Sequence, residues 1–180
     1  VQTCALPISE EKPMAIRLAN YIKDVIKPKN VLDIGCGPGT YVYSLRNLGV
    51  DATGMDIDER VVDKEHLKQQ SLLDITDEKA DLVMCIEVAE HIESQFEDDV
   101  VKKVVSTVEN TLIWTAAAVG QGGIGHINCK DKEEWSEKIT KAGLVRNYEK
   151  ENALIEYISQ GYHMGWFRNN VMYFEKPNNP

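Results

Sequence analysis

The sequence predicts a doubly wound α/β fold. Short apolar runs alternate along the chain with segments in which apolar residues recur at helical spacing. That alternation is typical of a parallel sheet covered by helices on both faces. The last two extended segments, "LVRNYE" and "NVMYFEK", are separated by a short helical segment and are predicted to close the sheet as an antiparallel pair.

Five apolar runs in the first two thirds of the chain are predicted to be buried strands. In chain order they are "NVLDIG", "DATGMDID", "QQSLLDI", "DLVMCIEV" and "NTLIWTAAA". The predicted helices lie at residues 13–27, 41–48, 59–66 (the weakest pattern), 96–108 and from 131 onward. Pro13 suits the first turn of the first helix. Asp131 and Glu134 have the spacing of a capping box, and Gly143 ends the helix that they begin.

The composition indicates one globular domain, which we expect at residues 9–176 with a frayed tail at 177–180. The chain has 180 residues, 43% of them hydrophobic, and a net charge of −9. No apolar run approaches the roughly 20 residues that span a bilayer, and the acidic charge disfavours a nucleic-acid partner. Four scattered cysteines without CxxC spacing predict reduced thiols and a cytoplasmic location. No pattern sets the oligomeric state.

The first residues are interpreted as foreign to the protein. The stretch "VQTCALPIS" can be reverse-translated into the tail of a sequencing adapter, so we expect residues 1–8 to be an assembly scar and exclude them from the fold. The native N-terminus is then expected to differ from the one in this sequence.

A glycine-rich turn after the first strand predicts a ligand site. "VLDIGCGPGTY" places Gly35, Gly37 and Gly39 before a helix, where glycine lets the backbone approach a ligand. An NAD-binding fingerprint would be GxGxxG, whereas this turn has GxGxG with Asp33 two residues earlier. A carboxylate there repels pyrophosphate but suits an ammonium group, such as that of the methionine end of S-adenosylmethionine (SAM).

Together with later motifs, this turn resembles the class I SAM-dependent methyltransferases over residues 30–126. "GMDID" resembles that family's second-strand acid, "SLLD" its adenine-side acid and "DLVMCIEVAEHI" its fourth-strand motif. "EVAEHI" is most similar to the branch that includes ubiquinone-biosynthesis-type O-methyltransferases. The resemblance implies a Rossmann-like, seven-stranded, mostly parallel sheet, SAM as cofactor, and methyl transfer to oxygen or nitrogen of a small molecule or sugar.

The resemblance also implies which residues bind the cofactor. They are Asp33, Gly35, Cys36, Gly37 and Gly39 at the methionine end, Asp56 at the ribose, Ile57, Leu73 and Asp74 at the adenine, and Glu87 nearby. Asp56 suits its role because one carboxylate accepts bonds from two hydroxyl groups. Asp56 could instead be a helix N-cap, and Asp58 competes with it for both roles. Asp74 could be a plain turn residue, and Cys36 could be a small packed side chain.

Two histidines are candidate catalytic bases. His91 follows the fourth strand together with Glu87, and if a helix begins near Val88 the two share a face at i and i+4. That spacing also suits a metal pair, but no third ligand stands at suggestive spacing, so we predict no metal. His126 lies in "AAAVGQGGIGHINCK", which the resemblance places over the cofactor; it could be the base or, with Asn128, could pin this loop.

One further cluster and two further functions stay open. The aromatic cluster "GYHMGWFR" could form a substrate wall or dock the terminal strands; its members are Tyr162, His163, Met164, Trp166 and Phe167. The alternative functions are a nicotinamide-dependent oxidoreductase that binds ribose through Asp56, and a non-catalytic cofactor-binding scaffold.

Overall fold

A computed structural model describes residues 8–61, 65–160 and 165–177. Residues 1–7, which hold most of the expected assembly scar, fall outside the described residues. So do Tyr162, His163 and Met164 of the aromatic cluster and residues 178–180 of the expected tail. In the described part of the chain, no helix is both long and apolar enough to cross a membrane.

Seven strands form one sheet in the order β3-β2-β1-β4-β5-β7-β6. The strands are β1 (Val31–Ile34), β2 (Ala52–Asp56), β3 (Leu67–Gln69), β4 (Ala80–Ile86), β5 (Val108–Thr115), β6 (Val145–Arg146) and β7 (Met172–Glu175). The first five are parallel to one another, and β7 runs antiparallel to both β5 and β6. The predicted Rossmann-like sheet and its antiparallel closing pair are confirmed.

Helices cover both faces of the sheet. They are α1 (Ile8–Tyr21), α2 (Thr40–Asn47), α3 (Glu97–Thr107), α4 (Lys132–Lys141), α5 (Tyr148–Ser159) and α6 (Gly165–Asn170). One apolar core lies between the sheet and α3 with α4, and the other lies between the sheet and α1, α2, α5 and α6. The doubly wound prediction is therefore correct.

Strand β4 shows why both cores form from one apolar run. Successive side chains of a strand point to opposite faces, so Val83 and Cys85 enter the first core while Leu82 and Met84 enter the second. All four are fully buried. A strand with apolar residues on both faces is stable only between two helical layers.

Three local predictions were wrong. The run "QQSLLDI" is not one strand, because β3 ends at Gln69 and Leu72–Asp74 form a 3₁₀ turn capped by the Ser71 hydroxyl. At 59–66 the described residues show only a 3₁₀ turn over Glu59–Val61, and residues 62–64 lie outside the described residues. Pro13 lies inside α1, which begins at Ile8, and a π-helical turn over Ile22–Ile26 continues α1.

The sheet order places a cleft at the carboxyl ends of the central strands. Strand β1 pairs with β2 on one side and with β4 on the other, so the chain connections diverge on the two sides of β1. Ligands of open α/β sheets bind at such switch points. The residues that follow β1, β2 and β4 line this cleft.

Candidate cofactor site and acceptor cleft

The glycine turn between β1 and α2 forms the floor of the cleft. Gly35 has φ 77°, and a Cβ atom there would lie 2.3 Å from a methyl group of Val88. Any other residue at this position would require Val88 to shift. Gly37 also lines the cleft, whereas Gly39, with φ 87°, lies outside the lining as the residue before α2.

Asp56 ends β2 and holds the turn in place. Its Oδ2 accepts a bond of 2.8 Å from the Gly37 N–H, and its Oδ1 accepts one of 2.8 Å from the Asp58 N–H. The carboxylate is 3% exposed and lines the cleft, whereas Asp58 does not line it. Each carboxylate oxygen can accept a further bond. The geometry therefore favours Asp56 over Asp58 as the acceptor for a ribose.

Asp33 is a buried acid without a full set of hydrogen bonds. It is 1% exposed, lines the cleft, and its Oδ2 has no hydrogen-bond partner. Burial, with a smaller effect from the charge of Asp56, raises the pKa of Asp33 to about 8. A buried unpartnered oxygen of this kind is costly unless a ligand supplies a donor. An ammonium group of a ligand would donate a hydrogen bond to Oδ2 and balance the negative charge of the ionised carboxylate.

The expected adenine side is only partly assembled as predicted. Ile57 and Leu73 line the cleft and are 46% and 37% exposed, so two apolar side chains are available to a flat ring. Asp74 is exposed at the end of the 3₁₀ turn and does not line the cleft. Gln70 and Ser71, which the motif comparison did not single out, line it instead.

Glu87 adopts a backbone conformation that ends the fourth-strand motif sharply. Its φ of 52° is rare for a residue with a side chain. The next regular element is only a 3₁₀ turn over Ala89–His91, so no α-helix begins near Val88 and the i, i+4 pairing of Glu87 with His91 is wrong. The strained turn directs Glu87 into the cleft.

His91 has one ring nitrogen whose lone pair is without a hydrogen-bond partner. Its Nδ1 lies 2.9 Å from the Gly125 carbonyl oxygen, which can only accept, so Nδ1 carries the proton and Nε2 holds a lone pair. Nε2 is buried without a partner, and His91 lines the cleft. Burial lowers the pKa of His91, and the nearby His126 lowers it further, whereas the hydrogen bond to Gly125 opposes this shift. The ring is therefore neutral at pH 7.

His126 lies behind His91 and does not line the cleft. The two rings meet edge to face with centroids 5.0 Å apart, and His126 Nδ1 lies 3.2 Å from the Gln121 carbonyl oxygen. A Cβ atom at Gly123 would fall 2.2 Å from the His126 ring, so the glycine-rich loop needs glycine there to pack on the imidazole. The sequence singled out both histidines, and the structure brings them together.

Glu90 completes this group, and sequence reasoning missed it. It is fully buried, and its Oε1 lies 3.9 Å from His126 Nε2. Burial, with a smaller effect from the charge of Glu87, raises the pKa of Glu90 to about 8. Glu90 lies between Glu87 and His91 in "EVAEHI", but the sequence did not mark it as a site residue, because a glutamate in such a pattern is usually solvated.

Glu90, His91 and His126 together could hold a metal ion. Each offers one ligand atom, and the three atoms lie within 4.8 Å of one another. Two imidazoles and one carboxylate are a common donor set for divalent metals. The sequence around Glu87 and His91 suggested no third ligand, whereas the folded chain brings Glu90 and His126 next to His91.

The two described members of the aromatic cluster separate. Trp166 lines the cleft, whereas Phe167 is fully buried in the core beneath α6. Trp166 therefore lies where a substrate wall is expected, and Phe167 packs in the core. Cys36 lines the cleft while only 6% exposed, and Cys85 is fully buried in the core.

Comparison with known proteins identifies the family. A family model described as a methyltransferase domain matches residues 13–123, which include β1 to β5 and the cleft-lining segments between them. The chain belongs to this methyltransferase-domain family. The nicotinamide-dependent alternative is therefore not favoured.

Relatives and solved structures agree with this membership. A ubiquinone biosynthesis O-methyltransferase of Coxiella burnetii is 34% identical over 105 residues, 48% of this chain and 44% of the relative. The chain thus matches under half the length of that curated relative. A magnesium protoporphyrin IX methyltransferase from Synechocystis PCC 6803 with bound SAM has a TM-score of 0.64 at 16% identity, covering 92% of this chain and 79% of that one.

A third similarity concerns a structure with two bound ligands. It is a methyltransferase from Burkholderia thailandensis with bound 1,6-didemethyltoxoflavin and S-adenosylhomocysteine. The TM-score is 0.62 at 14% identity, with 93% of this chain and 80% of that chain covered. At this identity the likeness shows the methyltransferase fold.

Proposed function

We propose that this chain is a SAM-dependent methyltransferase that acts on oxygen or nitrogen of a small neutral molecule. The observation that carries the proposal is the unpartnered Oδ2 of Asp33, buried at the floor of the cleft next to Gly35. The ammonium of an amino-acid-like ligand would favour the ionised form of this acid and pair with it, whereas a pyrophosphate offers it no donor. This chemistry distinguishes SAM from a nicotinamide dinucleotide.

The residues around the cleft fit the parts of SAM in order. Asp33 and the backbone at Gly35 and Gly37 would hold the methionine end, Asp56 would accept bonds from the ribose hydroxyls, and Ile57 with Leu73 would cover the adenine. When bound, SAM supplies a methyl group activated by its sulfonium. The protein then mainly has to hold the acceptor in line, and good orientation contributes about 7–11 kcal/mol.

His91 is the base in this proposal. His91 lines the cleft, and its Nε2 lone pair is buried without a hydrogen-bond partner. This nitrogen would accept the proton of a hydroxyl acceptor and so make its oxygen a stronger nucleophile toward the methyl group that bound SAM would supply. The Gly125 carbonyl holds the proton on Nδ1 and so keeps Nε2 available.

The walls of the cleft indicate the acceptor class. Ile92, Phe96 and Trp166 form an apolar part of the lining, which suits an aromatic or aliphatic body better than a sugar. The described lining residues include Glu87 and Glu93 but no lysine or arginine. A phosphorylated or carboxylated acceptor would be repelled, and so would a nucleic-acid backbone.

The three donors Glu90, His91 and His126 favour a second mode of activation within the same reaction. A divalent metal held by them would polarise the acceptor oxygen as a Lewis acid, in place of proton removal by His91. A chelator distinguishes the two modes. Activity that survives dialysis against a chelator supports the base, and activity restored only by added divalent metal supports the metal.

The comparisons support the general reaction. Relatives from Coxiella burnetii and Nitrosomonas europaea carry the name ubiquinone biosynthesis O-methyltransferase, and the Burkholderia structure holds 1,6-didemethyltoxoflavin beside S-adenosylhomocysteine. We further propose a cytoplasmic location, because Cys85 and Cys129 are free thiols.

The test is transfer of a labelled methyl group. The protein is incubated with methyl-labelled SAM and a panel of phenols, aromatic amines and sugars, with carboxylated analogues of the best acceptors as matched controls. We expect label in neutral aromatic acceptors and much less in their carboxylated analogues. Binding of SAM without transfer to any class would instead support a non-catalytic scaffold.

A further inference from the structure

A closed ring of side-chain hydrogen bonds joins three distant parts of the chain. Gln121 Nε2 donates to Glu87 Oε2 at 3.1 Å. Asn170 Nδ2 donates to Glu87 Oε1 at 3.1 Å and to Gln121 Oε1 at 2.9 Å. Glu87 follows β4, Gln121 lies in the loop after β5, and Asn170 ends α6. The ring therefore fixes the relative positions of three segments at the edge of the cleft.

The chemistry of the ring permits one arrangement. Asn170 is 3% exposed, and turning its amide over would place Oδ1 against two oxygen acceptors. Its Oδ1 is buried without a partner, so the donor side alone makes the contacts. A buried donor that serves two acceptors is costly to remove, because both acceptors then lose a partner.

Gln121 links the ring to the glycine-rich loop. Its Oε1 also accepts a bond of 3.4 Å from the Ala118 N–H, and its own N–H donates to the Ala118 carbonyl at 3.0 Å. Its carbonyl oxygen faces His126 Nδ1 at 3.2 Å. One residue thus sets the turn over residues 118–121 and holds the His126 ring.

Further along the loop, Gly125 contacts the proposed base. Its carbonyl oxygen lies 2.9 Å from His91 Nδ1, and the N–H groups of Ile127 and Asn128 bond to the Glu90 carbonyl at 2.9 and 3.0 Å. The position of the Gly125 carbonyl decides which His91 nitrogen carries the proton.

Apolar packing contributes little to holding this loop. Val119, Ile124 and Ile127 are 66%, 75% and 61% exposed, and Gly122 and Gly123 add no side-chain contacts of their own. Polar bonds at the two ends of the loop therefore set its conformation. The ring of Glu87, Gln121 and Asn170 holds the end near residue 121, and bonds to His91 and Glu90 hold the other end.

We propose that Gln121 and Asn170 are positioning residues for His91. Their ring with Glu87 fixes the loop at residues 118–125, and the loop carbonyl at Gly125 fixes the Nδ1–H tautomer of His91. The inference rests on the proposed role of His91 as base. Its test reads the tautomer and the loop directly and does not depend on methyl transfer.

The experiment uses nitrogen-15 NMR on the full chain. In Asn170→Ala we expect the amides of Ala118, Gln121, Ile127 and Asn128 to exchange with solvent on the order of tenfold faster, the effect of about one lost hydrogen bond. The His91 ring should pass from one tautomer to a mixture. Asn169→Ala, an exposed neighbour on the same helix, is the matched control and should change neither signal.

An exchanged pair provides a second, independent variant. Glu87→Gln or Gln121→Glu alone leaves one donor or acceptor of the ring unmatched. In the double variant all three bonds can form again. The amide now at position 87 donates to the carboxylate at position 121, the reverse of the wild-type contact, and both side chains still accept from Asn170. We expect slow exchange and the single His91 tautomer to return in the double variant.

Three results would overturn the inference. One is an unchanged His91 tautomer in both Asn170→Ala and Gln121→Ala with folded spectra. Another is an equal effect of Asn169→Ala, and the third is a double variant no better than its parents. If the tautomer changes as expected while the acceptor panel shows no methyl transfer, the positioning inference stands and the proposed activity fails.

Discussion

His91 Nδ1 lies 2.9 Å from the carbonyl oxygen of Gly125, a residue 34 positions later in the chain. This contact joins the segment after β4 to the loop after β5, and it leaves His91 Nε2 as a buried lone pair beside the cleft. The proposed proton transfer depends on this one relationship.

Replacing His91 should therefore affect turnover more than binding. We expect His91→Ala to lower kcat for a phenolic acceptor by about 10²–10⁴-fold, the usual contribution of a general base. The affinity for S-adenosylhomocysteine, measured by calorimetry, should stay nearly constant. His126→Ala is the comparison, and its loss should be smaller because His126 does not line the cleft. Equal losses in the two variants would argue against His91 as the base.

Cofactor binding should release a proton through Asp33. Its pKa of about 8 keeps the carboxyl neutral at pH 7, and the ammonium of the ligand favours the ionised form. Affinity should rise by up to about tenfold per pH unit from pH 6 to 8 and level off above. Comparing calorimetric titrations at pH 7 in phosphate and in Tris gives the number of protons released on binding. Asp33→Asn should bind weakly and release none, whereas a wild-type titration without proton release would contradict this.

The same shift predicts how stability depends on pH. An acid whose folded pKa is raised stays protonated in the folded state while the unfolded chain ionises above about 3.9. Asp33 therefore lowers the free energy of unfolding as pH rises from about 4 to 8. Asp33→Asn removes this dependence, and its melting temperature should exceed that of the wild type at pH 8. A melting temperature below that of the wild type at pH 8 would show that Asp33 stabilises the fold.

Gly35 tests the close approach on which the cleft depends. Both Gly35→Ala and Gly49→Ala place a side chain at positive φ, but only at position 35 would the new Cβ meet Val88, at 2.3 Å. Each substitution should cost about 1–2 kcal/mol for the backbone alone. Gly35→Ala should in addition abolish S-adenosylhomocysteine binding, measured by calorimetry. Binding retained by Gly35→Ala would show that the turn can move away from Val88.

The sequence predicts best those elements that short local patterns specify. The alternation of strand and helix, the glycine turn at Gly35 and the acid at Asp56 all follow from short patterns. The end of β3 did not, because Ser71 caps a 3₁₀ turn within an apolar run that looks like a continuous strand.

The acceptor side of the site depends on contacts between distant segments. Glu90 meets His126, and Asn170 meets Glu87 across 83 positions, only once the sheet is assembled. No spacing in the sequence encodes such contacts. Asp74 matched a sequence motif, but the folded chain places it outside the cleft lining.

The most direct test of the central claim is calorimetric titration with SAM, S-adenosylhomocysteine and NAD, in the wild type and in Asp56→Ala. Asp56 holds Gly37 and lies where a ribose would bind, so we expect both adenosyl ligands to bind the wild type, to lose affinity in the variant, and NAD not to bind. Binding of NAD alone, or equal binding of the adenosyl ligands by both proteins, would contradict the assignment of this cleft to SAM.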